Sequence, residues 1–446
     1  MNITDEFINR IQEISTKDIS ERTSHTVKRC LIDYFGVVLS GIRVIEDRED
    51  LSIIQEGKTP VFGTEIRTDI LSAALLNGFS AHVWELDDGH RYGMVHVGAT
   101  IITAVLLVAH NYGIFDSDRI IRSIVCGYEV TIALAKEIQP EHKLNGYHAS
   151  STCGTLGASM AIGTLLQYDR NELKRTMTMS ASSAAGLLNL MDEKSELKPY
   201  NIGRAAMDGI ASAIMGRIHL NALDDPIGGQ RGFIEVLSGK KIEKMSFEPN
   251  YLIMGVYTKM YASCRHCHPA VECALRLRAQ MEYSEKNIST IRIKTYKLAI
   301  RGHDHITITS TQSAMMSIPY SFAVALLYGK TGIDAFSDSN ISDSEIGKLM
   351  QKIVVEECDL YTISCPQKRI AEVVIQFADE SVLSEKVDYP LGEPENPMTD
   401  AQIEEKCKML MNYAGIENEK ANHIIRSVWS MENNIDEMFA CVLDIC

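Results

Sequence analysis

A chain of 446 residues is longer than one ordinary hydrophobic core organises, which predicts two domains, one of them interrupting the other. Its composition, 45% hydrophobic and 23% charged, is that of a globular protein, and its most apolar stretch, 99–109, is too short to span a bilayer. A formal net charge of −15 argues against a nucleic-acid partner, because phosphate binding needs a concentration of Lys and Arg that no segment provides. An acidic chain that binds an anion must gather its few cations locally. The first residues show neither the basic region nor the apolar run of an export signal, so a cytoplasmic location is expected. Eleven cysteines, an odd count scattered without an export signal, fit reduced thiols better than a disulfide framework. Cys126, Cys153 and Cys273 lie inside apolar helical patterns and are expected in the core.

Apolar residues recur at helical spacing from the start: Phe7, Ile11 and Ile14, then Val27, Cys30, Leu31, Tyr34, Phe35, Val38 and Leu39. Thr4-Asp5-Glu6 and the 15–20 segment supply helix caps. Further helices are predicted around 70–86, 99–112, 117–138, 152–166, 170–190 and 203–220. Several are apolar on nearly every face and must lie inside a sizeable bundle. The character changes near residue 250. Strand alternation marks 288–297, 352–358 and 369–377, with helices at 311–329 and 341–351 between them. Asp379-Glu380-Ser381 reads as a hairpin turn before the strand at 382–387. A Pro-rich hinge follows at 390–398, after which Thr399 caps a helix with Gln402 at the third position, and the rest is helical again. The predicted fold is mainly α with an α+β second domain: helical over 1–254 and 398–446, with a smaller α+β lid over 255–397.

The densest polar cluster is His82, Glu85, Asp87, Asp88, His90 and His96, directly after an apolar helix. Helical spacing places His82 and Glu85 on one face, and Gly89 and Gly93 loosen the chain into a loop. A metal reading is weak, since no zinc spacing is present, and Asp87 and Asp88 are expected to bond loop backbone. His96, on a glycine-bounded loop, divides evenly between function and structure. Cys264-Arg-His-Cys-His268 matches the spacing of c-type haem attachment, which is rejected because that chemistry accompanies export. Zinc binding by the two thiols stays open but lacks a second ligand pair. The same residues open a helix at 271–279 whose positive end would aim Arg265 and His268 at an anion. His148 precedes a helix of small residues, and Lys198 precedes a proline-started helix carrying Arg204. No nucleotide motif is present. Gly329-Lys-Thr lacks the upstream glycine of a phosphate loop.

Taken in order, Leu76-Asn77-Gly78, His82, Asp87-Asp88, His96-Val97-Gly98, Gly146-Tyr147-His148, Lys198-Pro-Tyr-Asn-Ile-Gly-Arg204, Asp224-Asp225, Gly228-Gly-Gln-Arg-Gly-Phe233, the 259–268 segment, Ser317-Ile-Pro-Tyr320 and Asn396-Pro397 resemble the MmgE/PrpD family nearly end to end. Each motif is modest, and their ordered combination is specific. The resemblance implies a helical domain, a smaller α+β lid, a homodimer, and acid–base chemistry on a small di- or tricarboxylate without cofactor or metal. It places His96, His148, Lys198, Lys259 and Tyr320 in the cleft between the domains. It also implies an aspartate where this chain has Glu85, a threonine at Gly89 and a proline at Val97.

The family's reactions make or quench negative charge on carbon beside a carboxylate, which calls for a base near neutral pH and fixed cations. His148 is expected to lead proton transfer with His96 as its partner and Tyr320 as a positioning or proton-donating group. Lys198 and Lys259 are expected to hold carboxylates, with Glu85, Arg265 and His268 contacting substrate. The absent hydroxyl at Gly89 inclines the reading toward an iminodisuccinate-epimerase-like isomerase. Dehydration of a 2-methylcitrate-like substrate and decarboxylation of a cis-aconitate-like one stay open. So does a non-catalytic polycarboxylate sensor, against which stands the presence of both histidines and both lysines.

Overall fold

The computed structural model describes residues 1–46, 55–191, 195–281 and 288–443. Its first half is a helical bundle built on Ala149–Leu165, a helix whose every residue is buried. Ser117–Ile138 packs along it, and so does Tyr200–Gly216. Gly98–Tyr112, buried from Gly98 through Ala109, also packs against it. Helices with no polar face have nowhere else to go. Around this centre lie Ile3–Thr16, Glu21–Gly41, Ile70–His82 and Arg170–Ser183, and the periodic residues of Glu21–Gly41 predicted to be apolar core, Val27 through Leu39, are all buried. The first cap differs from expectation: Asn2, not Thr4, accepts the Asp5 N–H at 2.8 Å.

A short antiparallel pair, β1 (Glu56–Pro60) and β2 (Arg67–Thr68), lies beside the bundle and was not legible in the sequence. The α+β portion is a four-stranded sheet of β3 (Ile288–Thr295), β4 (Ile353–Glu357), β5 (Ala371–Phe377) and β6 (Val382–Val387) in the order β4-β3-β5-β6. β3 pairs parallel with β4 and antiparallel with β5, and β5 pairs antiparallel with β6. The predicted turn joins β5 to β6: Glu380 takes the left-handed conformation at φ 68°, and Phe377 N–H donates to Ser381 O at 2.9 Å. Ile291, Ile293, Val373 and Ile375 face the core, against which His268–Gln280 and Ile318–Tyr328 pack.

The C-terminal helices return to the bundle. Asp400–Tyr413 begins with the predicted Thr399/Gln402 capping box and packs along Glu21–Gly41. From it the buried Lys406 ammonium donates to Asp33 at 2.6 Å and to the carbonyl of Leu86 at 2.7 Å, so this helix also braces the polar loop after Ile70–His82. Among the described residues no helix is long and apolar enough to cross a membrane.

Two predicted helices are broken, each for a local reason. The one expected over 170–190 stops at Ser183, because Gly186 turns the chain at φ 141°, and a 3-10 turn follows at Leu188–Met191. The one expected over 311–329 divides at Ser317, whose hydroxyl caps the Tyr320 N–H at 3.1 Å, while Pro319 offers no N–H to continue the preceding helix Thr311–Met316.

Candidate active site

Where Ile70–His82 ends, the chain delivers its polar cluster. That helix crosses Tyr200–Gly216 at Gly78 and Gly203, so closely that a Cβ built on Gly78 would lie 2.7 Å from the Gly203 Cα. The close crossing brings Lys198, just ahead of the second helix, to Glu85, just past the end of the first. Glu85 sits at φ 54°, a left-handed conformation that a non-glycine residue holds only when its surroundings fix it. Here two buried ammoniums fix it. Lys198 Nζ donates to Oε1, and Lys259 Nζ donates to Oε2 at 3.0 Å and to the Glu85 carbonyl at 2.7 Å. Burial by itself would raise the Glu85 carboxyl, but Lys198 and Lys259 outweigh it and hold it well below the usual carboxylate range.

The charge network continues through His82, which lies between two carboxylates: Nδ1 is 2.9 Å from both Asp87 oxygens and Nε2 is 3.3 Å from Glu85 Oε1. Burial opposes protonation of this ring, yet Asp87 and Glu85 together raise its pKa. Asp88, by contrast, is a clamp. It accepts the Gly98 N–H at 2.8 Å and the Tyr128 hydroxyl at 2.6 Å, and burial pushes it up to about 7 against those two bonds. Both aspartates were expected to bond loop backbone; Asp88 instead accepts the N–H that opens the Gly98–Tyr112 helix, and Asp87 reaches His82 and, at 3.3 Å, His96 Nδ1. His82, Asp87 and His96 bring ligand-type atoms within 4.8 Å of one another, a metal-compatible trio in which the carboxylate already pairs with both rings.

His96 and His148 line one cavity with Lys143 and Lys198 from the bundle and Tyr257 and Arg369 from the second half. Their hydrogen bonds set opposite tautomers. His96 Nδ1 lies 3.1 Å from the Asp88 carbonyl, which only accepts, so Nδ1 carries the proton and Nε2 keeps its lone pair. Asn201 Nδ2 lies 3.1 Å from the Leu187 carbonyl, which fixes that end of the amide as NH2; the same group donates to His148 Nδ1 at 3.3 Å, which puts the His148 proton on Nε2. Both rings are neutral near pH 7. Burial first, against the pull of Asp87, lowers His96 to about 4; burial, then Lys198, His82 and His96, holds His148 well below its ordinary value. His148 also begins the 17-residue Ala149–Leu165 helix, whose positive end favours an anion there.

Two sequence profiles cover this chain: the MmgE/PrpD N-terminal domain matches residues 5–245 and the MmgE/PrpD C-terminal domain matches 261–431. The chain belongs to the MmgE/PrpD family. It is 23% identical to the cis-aconitate decarboxylase-like protein oryM of Aspergillus oryzae, over 98% of this chain and 95% of that one. It is 22% identical to the human cis-aconitate decarboxylase over 91% of this chain and 87% of the other. The 2-methylcitrate dehydratase of Escherichia coli K12 is also 22% identical, over 87% and 86%.

For a member of the MmgE/PrpD family, the structure then places the predicted residues unevenly. His96, His148 and Lys198 meet at the cavity, with Glu85 bridging Lys198 to Lys259 behind it; Lys259 is 0% exposed. Tyr320 does not join them. Its hydroxyl donates to the Ala335 carbonyl at 2.8 Å and its ring packs on Phe336, so it belongs to the interior of the α+β portion. Arg265 and His268 were expected to face an outside anion; Arg265 does line the cavity, but its guanidinium also meets an anion of the chain's own, and His268 does not line it. Arg265 pairs with Glu393 at 3.1 Å and donates to His268 Nδ1 at 2.9 Å, and His268 Nε2 reaches the Ser263 carbonyl at 3.2 Å. The remaining capacity of Arg265 goes to the carbonyls of Pro390 and Leu391.

Sequence reasoning missed four contributors. Lys143 lines the cavity, and its ammonium has no carboxylate or carbonyl partner among the described residues. Arg369, 6% exposed, also lines the cavity; its Nη1 makes no hydrogen bond there and lies 3.5 Å from Glu393 Oε1. Tyr257 lies beneath the guanidiniums of Arg265 and Arg369, 4.7 and 4.9 Å from its ring centre, and pairs backbone to backbone with Gly89. That contact accounts for Gly89: a Cβ there would lie 2.5 Å from the Tyr257 hydroxyl. Asn201 sat inside the quoted motif, but its role depends on Leu187, which only the break at Gly186 brings near. At the third departure, Val97 takes φ −121°, outside the proline range.

Proposed function

We propose that this cavity removes a proton from carbon beside a carboxylate of a small di- or tricarboxylate and expels a leaving group, as a lyase that eliminates water. The observation carrying the proposal is the complementary pair of neutral imidazoles. His96 Nε2 offers a lone pair and acts as general base on the C–H, and His148 Nε2 offers a proton to the departing hydroxide. Lys143 and Lys198 receive the substrate carboxylates, with Arg369 facing the developing charge, and Glu85 tunes the lysine pair rather than touching substrate. No step uses a metal. The 255–397 segment acts as the lid over the site, and the working form is a homodimer. Relatives named for dehydration and decarboxylation support a lyase over the epimerase toward which Gly89 inclined the sequence reading.

Epimerisation stays as a second reading because the same pair can take a proton from one face and return one to the other. Incubation with candidate hydroxy-tricarboxylates in deuterated solvent separates the two. Elimination gives rising ultraviolet absorbance from a conjugated double bond, and carbon dioxide release marks decarboxylation. Deuterium incorporation with neither marks epimerisation. His148→Gln is expected to lower kcat by at least ~100-fold with an unchanged melting temperature; full turnover in that variant, or tight dicarboxylate binding without turnover of any candidate, removes the proposal.

A further inference from the structure

One group in the cavity has no part in that chemistry. Cys264 lines it together with His303, and the thiol sulfur lies 3.2 Å from His303 Nε2. His303 Nδ1 lies 3.0 Å from the Arg301 carbonyl, an acceptor only, so Nδ1 holds a proton and Nε2 is the atom that receives the thiol's. The other side of His303 meets the ring of His266 at 5.1 Å, which is itself held by the Tyr296 hydroxyl at 2.7 Å. Buried thiols elsewhere behave differently: burial pushes Cys126 and Cys153 up to about 12. Burial acts on Cys264 too, but the His303 imidazolium outweighs it, with Lys198 adding to the effect, and the net direction is downward. Lys143 and Arg369 line the same space, Arg369 with its Nη1 3.5 Å from Glu393.

We propose that Cys264 is a nucleophilic thiol, activated by His303, that takes up small soft electrophiles and prefers those carrying a carboxylate. The step balances without an oxidant. The thiol proton passes to His303 Nε2 and the sulfur lone pair attacks the electrophilic carbon. With iodoacetate the C–S bond forms as the C–I bond breaks, iodide leaves with the bonding pair, and the imidazolium later returns its proton to solvent. The thiol's reactivity stands on the dyad alone, and the anion preference rests on the carboxylate-binding reading of the cavity.

The test uses the full chain treated with iodoacetate or neutral iodoacetamide, followed by peptide mass spectrometry. Cys264 is expected to react at least ~10-fold faster than the half-buried Cys358 with both reagents, and to favour iodoacetate more strongly than Cys358 does. His303→Gln is expected to slow both reactions at Cys264 by ~10-fold, and Cys264→Ser to abolish the fast phase. Cys264 no faster than Cys358 with iodoacetamide overturns the thiol assignment, whatever the cavity binds. The same reagent preference at both cysteines overturns the anion preference and counts against the carboxylate reading.

Discussion

Glu85 shows how one side chain reorganises a site. The sequence marked it as a longer acid where the family pattern has an aspartate, and expected it to read a substrate arm. In the structure its one carboxylate meets two ammoniums while the backbone holds a left-handed turn. The pairing is therefore structural, and its removal has a predictable sign. Glu85→Gln leaves Lys198 and Lys259 buried without their counter-charge, which is expected to cost about 3–5 kcal/mol of unfolding free energy. Urea denaturation measures it, and a loss under ~1 kcal/mol would contradict the pairing. Adding Lys259→Met to that variant should recover part of the loss, because it removes one of the stranded charges.

At the scale of elements, the helices were legible because their apolar spacing is regular, and the strands because theirs alternates. What periodicity cannot show is where two elements touch. Gly78 and Gly203 looked like ordinary small residues, yet their crossing sets the distance between Glu85 and Lys198. A Cβ at Gly203 would lie 2.1 Å from the Leu75 carbonyl, so Gly203→Ala forces the helices apart and is expected to destabilise by about 1–3 kcal/mol despite alanine's better helix propensity. Gly347, inside Ser344–Met350, has open space around its Cβ position, and Gly347→Ala should stabilise by up to ~1 kcal/mol. Denaturant unfolding of the pair checks both signs, and a neutral Gly203→Ala would show the crossing to be looser than described. The break at Gly186 was invisible for a related reason. A lone glycine in a helical pattern is usually tolerated, and here it stops the helix and supplies the carbonyls that hold the His148 N–H and Asn201.

Across the whole molecule, the local gathering of cations required of an acidic chain is present, but most of those cations are already matched. Glu393 meets Arg91, Arg265 and Arg369, and Glu85 meets two lysines. Motif reading found Arg265, Lys198 and Lys259 and could not find their partners, which lie up to 174 residues away in sequence. It missed Lys143 and Arg369 because lone cations carry no pattern. The buried histidines couple this arrangement to pH. Burial is the leading cause that lowers His90 to about 3 and His96 and His142 to about 4, and it holds His148, His266 and His268 well below their ordinary value. These rings stay neutral in the folded chain and charge in the unfolded one below about 6.5. The unfolded state therefore binds more protons in that window, and the stability these rings confer is present above it and lost as pH falls toward the folded values. Asp88, raised to about 7 chiefly by burial, runs the other way and offsets one ring. His82 has its pKa raised, so its contribution is present below about 6.5 and is lost only as pH rises. Each uncompensated ring is worth roughly 1.4 kcal/mol per pH unit, so unfolding free energy is expected to drop by at least ~3 kcal/mol between pH 6 and pH 5. Urea unfolding followed by circular dichroism at the two pH values measures the drop; equal or greater stability at pH 5 would mean that these rings are hydrated and free to protonate in the folded chain.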